Sequence, residues 1–233
     1  MITPTERKKL SFPIRPSHNS EMKKYEEVYL TYANTGYTKD LCDQYSSSFV
    51  DDAKKPSPVD VIQLAMLYER ILDYKTAAFY LDKLEERKVS GIDKYHYCVE
   101  MLRVKSLLGK WRDAEEFRTE NIDFMQKQSE KLSSQRQADL YIALALTDCA
   151  AQHYEQALKL LKFGYKPQGK NDKTLLEIFI TAIYIFAKAG EREGVEGAVG
   201  NARGCMNLFS KYEFSWCEEY YNKRIEAAAN GIY

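Results

Sequence analysis

The sequence contains no apolar run approaching the roughly 18 to 20 residues needed to cross a bilayer. Its longest apolar region, Ile178 to Ala187, is short and interrupted by Thr181. No sign of charge is in excess: 34 Lys and Arg balance 34 Asp and Glu, a formal net charge of 0. That balance argues against a chain whose main work is to neutralise nucleic-acid phosphates or anionic lipid. Histidine is scarce. His18, His96 and His153 stand apart, and His96 and Cys98 lie two apart on a predicted helix, so they point in different directions and form no zinc site. The five cysteines (Cys42, Cys98, Cys149, Cys205, Cys217) are odd in number and form no C-x-x-C pair. Reduced thiols acting as small apolar residues are expected. The N-terminus lacks the apolar core of a signal peptide. Cytoplasmic localisation follows as the expectation.

Chemistry is thinly represented too. There is no nucleophile elbow, nucleotide fingerprint or metal motif, and Glu85-Glu86 and Glu115-Glu116 read as solvated helix faces. The segment from Gly164 to Asn171 nearly matches the phosphate loop G-x-x-x-x-G-K-[ST]. Asn171 stands where a hydroxyl would hold magnesium, however, and a helix precedes the segment where the motif requires a strand. A helix-to-helix connector is the better reading. No catalytic residue, cofactor or metal is expected, and the chain is read as a non-enzyme.

What the sequence does hold is a repeat. Val61, Leu64, Ala65 and Tyr68 are followed by Tyr74, Ala77 and Leu81; Tyr141, Leu144 and Ala145 are followed at the same offsets by Tyr154, Ala157 and Leu161. A repeated helix pair buries each unit's apolar face against its neighbour. Residues 1–19, with Pro4, Pro13 and Pro16, read as an extended arm, and 20–233 as one helical repeat domain. Turn signals divide the domain at Asn34-Thr35-Gly36, Lys55 to Pro58, Ser90-Gly91, Leu108-Gly109-Lys110, Ser133-Ser134, residues 164–172 and Gly190. A last helix from about Glu213 ends near Asn230-Gly231, which suits a left-handed cap.

The large-leucine-small-aromatic pattern on a first helix, with alanine and a large apolar residue on the second, resembles the tetratricopeptide repeat. The match is close in the second pair. In the fourth, Asp148 replaces the aromatic. The other pairs are degenerate: Tyr29 is bulky in the first, Leu102 is large and Arg118 polar in the third, and the fifth keeps Phe179, Phe186, Val195 and Val199. Ala77 to Ala114 is 37 residues and Ala114 to Ala157 is 43, against a usual period of about 34, so the third pair should have long helices. The resemblance implies an all-α, right-handed α-α superhelix of about five helix pairs with a C-terminal capping helix.

The resemblance also implies that first helices line a concave groove. Its inward positions would be Glu26, Leu30, Ile62, Met66, Arg70, Val99, Arg103, Ile142, Leu146, Ile180 and Tyr184. For Ile62, Ile142 and Ile180 a plain core role is an equal alternative. The peptide-binding candidates are Glu26, Leu30, Met66, Arg70, Arg103, Leu146 and Tyr184. Ile62 and Met66 stand where some relatives place residues that clamp a carboxylate, which disfavours that mode of binding. The implied function is a scaffold for a protein or peptide partner; the alternative is a small-ligand or signalling-peptide sensor. A nucleic-acid or membrane partner is not expected, and homo-oligomers stay open. Glycines 190, 194, 197, 200 and 204 share one helix face. That face is expected to reflect close intramolecular packing or looseness before a dimer contact.

Overall fold

The computed structural model describes residues 39–40, 42–43, 46–47, 56–85, 89–165, 172–209 and 215–233. The N-terminal arm, most of the first helix pair with Glu26 and Leu30, the end of the near phosphate loop, Phe214 and the side chain of Trp216 lie outside them. Every regular element among the described residues is a helix: α1 (Pro58–Arg70), α2 (Tyr74–Glu85), α3 (Gly91–Leu107), α4 (Trp111–Ser129), α5 (Ser134–Ala150), α6 (Tyr154–Tyr165), α7 (Asp172–Ala189), α8 (Arg192–Phe209) and α9 (Ser215–Ala229). Helical residues also occur within 39–47. None of the helices is long and apolar enough to cross a membrane.

Local chemistry sets several boundaries. Ser57 caps α1 in a reciprocal capping box with Asp60, and Pro58 opens the first turn, where its missing N–H costs nothing. The third pair has the long helices expected, 17 residues in α3 and 19 in α4.

One turn recurs. After α1, α3, α5, α7 and α9 a single residue takes a left-handed conformation: Leu72 (φ 64°), Gly109 (72°), Gln152 (66°), Gly190 (75°) and Gly231 (72°). In each case the following N–H reaches back five residues, as from Asp73 to Tyr68 (2.9 Å), His153 to Asp148 (2.8 Å) and Ile232 to Ala227 (2.9 Å). This closes the helix with both bonds of a Schellman motif. After the first four of these turns the chain enters the next helix at once.

The helices pack α1 on α2, α3 on α4, α5 on α6 and α7 on α8, while α1, α3, α5, α7 and α9 form a row in which each touches the next. Alanines permit the close approach: Ala65, Ala77, Ala114, Ala145 and Ala157 are wholly buried. Gly164 acts similarly, since a Cβ there would lie 3.2 Å from that of Tyr141. Ile142 and Ile180 belong to the apolar core, as does Ile62. Helix α9 covers α7 and α8 and buries Tyr221, Ile225 and Ala228. Of the glycine face on α8, Gly194 meets the ring of Phe186, whereas Gly197, Gly200 and Gly204 face open space.

Candidate functional site

Charged side chains on the odd-numbered row converge where an apolar interior would be expected. Arg70, at the end of α1, reaches Glu177 on α7 with Nη1 3.2 Å from both carboxylate oxygens. Arg224 on α9 donates to the same carboxylate at 2.7 and 2.8 Å. On the neighbouring helices, Arg103 of α3 donates to Glu69 of α1 at 2.6 Å. Glu100 stands one turn before Arg103, its nearer oxygen 3.9 Å from Nε. All six side chains are buried. Buried charges persist only when paired, because desolvation of a lone ion costs several kcal/mol.

The pairing decides which groups stay ionised. Burial opposes the charge on Glu177, but the guanidiniums of Arg224 and Arg70 overcome it and hold the carboxyl down at about 2. Glu69 is likewise pulled below its ordinary value, Arg103 and Arg70 outweighing burial. Glu100 goes the other way. Burial, with the Glu69 carboxylate beside it, pushes it up to about 8, and its Oε1 has no hydrogen-bond partner among the described residues. Near neutral pH the cluster therefore holds three guanidiniums against two carboxylates.

Tyr233 lies on this cluster. Past Gly231, Ile232 is exposed and Tyr233 is buried. The Tyr233 ring lies 5.8 Å from the Arg103 guanidinium and 5.7 Å from that of Arg224. The Tyr184 ring meets it edge-on, centroids 5.4 Å apart. The Tyr233 hydroxyl is 2.9 Å from Thr181 Oγ1. That threonine already donates to the Glu177 carbonyl, so the tyrosine is the donor between them. The Tyr74 hydroxyl donates to the main-chain oxygen of Tyr233. An aromatic face over a cation adds about 0.5–2 kcal/mol when desolvated, which suits a cluster with one cation in excess.

Comparison with family models, with characterised proteins and with solved structures returned no match. The site is therefore read from its own residues.

Of the sequence candidates, Arg103 and Tyr184 meet at Tyr233, and Arg70 joins the charged cluster through Glu177. Met66 is half-buried against the core, and Leu146 lies within it, 1% exposed. Each arginine is engaged by a carboxylate, Arg70 by Glu177 and Arg103 by Glu69. Glu69, Glu177, Arg224 and Tyr233 were absent from the sequence candidates. A signal for Glu177 was there: a single carboxylate amid the apolar stretch of α7 requires a cation nearby. Nothing local marks Tyr233.

Among the described residues no group of three His, Cys, Asp or Glu is arranged to hold a metal. Cys98 and Cys149 are buried, and burial pushes their thiols up to about 11 and 12. Neither is an activated nucleophile. His96 is kept neutral by burial and by Arg136, its pKa down at about 3.

Proposed function

We propose that the chain is a non-enzymatic scaffold that holds a peptide of a partner protein. The peptide would lie along the row of odd-numbered helices, within a right-handed tetratricopeptide-like superhelix. One observation carries the reading: this row already accommodates non-helical chain at residues 231–233 through a ring contact, a hydroxyl bond and a bond to a main-chain oxygen. Pockets for side chains combined with main-chain hydrogen bonds are what peptide grooves use. The five equivalent turns support the repeat architecture, since one turn geometry repeated stacks equivalent helix pairs.

The test is site-specific photo-crosslinking in cells. A photoreactive residue at Tyr184 should trap a discrete partner. The same residue at Arg192, whose side chain is 91% exposed on α8, should not. Crosslinking from position 192 alone would move the interface to the even-numbered helices. Crosslinking from neither position would count against a scaffold.

A further inference from the structure

Glu177 answers two cations at once. Arg70 meets it with Nη1 alone, 3.2 Å from each carboxylate oxygen. Arg224 does the same with its own Nη1, at 2.7 and 2.8 Å. Guanidiniums from α1 and α9 thus share one carboxylate on α7, while Arg103 is answered by Glu69. Both approaches to Glu177 are end-on, through a single nitrogen. A guanidinium engaged in this way keeps its Nε–Nη2 edge, the two parallel N–H groups that match a carboxylate, for another acceptor. Neither edge donates to any of the described residues. The flat faces are already in use at Arg224, whose guanidinium lies over the rings of Tyr220 and Tyr233, 5.7 Å from each. What the two arginines still offer is therefore donor edges. The side chains of Arg70, Arg224 and Glu177 are only 7%, 8% and 8% exposed, so whatever reaches those edges is small. Two cations against one carboxylate, in a place where charges persist only when paired, call for an anion.

We infer that the Nε–Nη2 edges of Arg70 and Arg224, beside Glu177, bind a small free carboxylate of the size of formate or acetate. The two oxygens of such a ligand match the forked edge, and its charge completes the pairing that Glu177 begins. Binding ties α1, α7 and α9 together at one point, so the ligand stabilises the folded chain. The inference stands apart from the peptide-holding reading and needs no movement of the chain.

The test is thermal unfolding of the full chain at fixed pH and ionic strength, with sodium formate, acetate or chloride replacing the salt of a bulky sulfonate. A ligand at ten times its dissociation constant raises Tm by about 3–6 °C for a chain of this size. Formate and acetate should do so; chloride, which lacks the second oxygen, should shift Tm less. Arg70→Met leaves Glu177 one-to-one with Arg224 and should stay folded while losing the carboxylate shift. Glu177→Gln removes the rival anion and should enlarge it. N-acetyl-aspartate amide, which carries its carboxylate on a peptide unit, should give no shift. If the variants do not fold, NMR titration of the wild type with acetate decides: the Arg70 and Arg224 Nε–H resonances should move and saturate, while that of Arg118, held by Asp148 on α4, should stay. Equal shifts from chloride and formate, a shift retained in Arg70→Met, or no saturable movement at Arg70 and Arg224 overturns the inference. A shift from N-acetyl-aspartate amide equal to that from acetate overturns the small-acid source in favour of an acidic side chain. Crosslinking from position 184 succeeds or fails independently of all these outcomes.

Discussion

Arg118 on α4 and Asp148 on α5 correct each other. Each is a departure from the repeat pattern, a polar residue where an apolar or aromatic one belongs, and the fold sets Arg118 Nη1 2.7 Å from Asp148 Oδ1. Asp148 is buried, and Arg118 also holds Glu115 at 2.6 Å. Arg118→Met should cost about 3 kcal/mol by leaving Asp148 buried without a cation. Adding Asp148→Leu should recover much of that loss, for a coupling of about 1–3 kcal/mol in a double-mutant cycle followed by urea unfolding. Additive losses would mean that the two substitutions do not compensate.

The recurring turn predicts which substitutions help. Leu72 and Gln152 hold a left-handed backbone without being glycine, a conformation that costs an ordinary residue about 1 kcal/mol or more. Leu72→Gly and Gln152→Gly should each raise stability by about 1 kcal/mol, a gain reduced by the extra freedom of the unfolded chain. Gly109→Ala and Gly190→Ala should each lower it by a similar amount. Thermal unfolding of the four variants reads the sign directly.

Glycines on α8 divide by environment. Gly194→Ala should destabilise, because its methyl group would run into the Phe186 ring, while Gly197→Ala, Gly200→Ala and Gly204→Ala add a methyl in open space. Each of the latter should stabilise the helix by about 1 kcal/mol. Losses at all three outward positions would show that another surface covers them in solution.

Glu100 should make stability depend on pH. Its carboxyl titrates near 4.5 when free and is raised to about 8 in the fold. The unfolded chain thus releases the proton first, and stability falls as pH rises from 4.5 toward 8. Groups facing it are Glu69 and Arg70 from α1, Arg103 from its own helix and Asp139 from α5. Glu177, lowered to about 2, acts oppositely: its contribution is present above 4.5 and is lost as pH falls toward 2. His96, lowered from 6.5 to about 3, also contributes above 6.5 and loses that contribution as pH falls through this range. Glu100→Gln should flatten the decline on the alkaline side, measured as urea midpoints between pH 5 and 8. Parallel profiles for variant and wild type would assign the decline to another group.

Much of the helix pairing was legible. The apolar spacing at Val61, Leu64, Ala65 and Tyr68, with Ala77 and Leu81, marked two helices and the faces they bury, and all six side chains are buried. Glycine marked three of the five equivalent turns. It did not mark those at Leu72 and Gln152, where the tertiary fold holds a leucine and a glutamine in a conformation their local preference opposes. The candidate site was legible only in part: Arg70, Arg103 and Tyr184 were singled out, but not their partners.

What the sequence determined by itself was local: which residues are helical, which stripe of each helix is apolar, and where chain reversal is cheap. Those follow from spacing within a few residues, because neighbours on a helix face lie three or four apart. Tertiary structure alone decided that Arg70 meets Glu177 across 107 positions, that Arg118 answers Asp148 across 30, and that Tyr74 binds the main-chain oxygen of Tyr233 across 159. Such pairs depend on the summed geometry of every intervening helix and turn, so no local pattern carries them. The expense of burying an unpaired charge or polar group then makes each arrangement hard to replace.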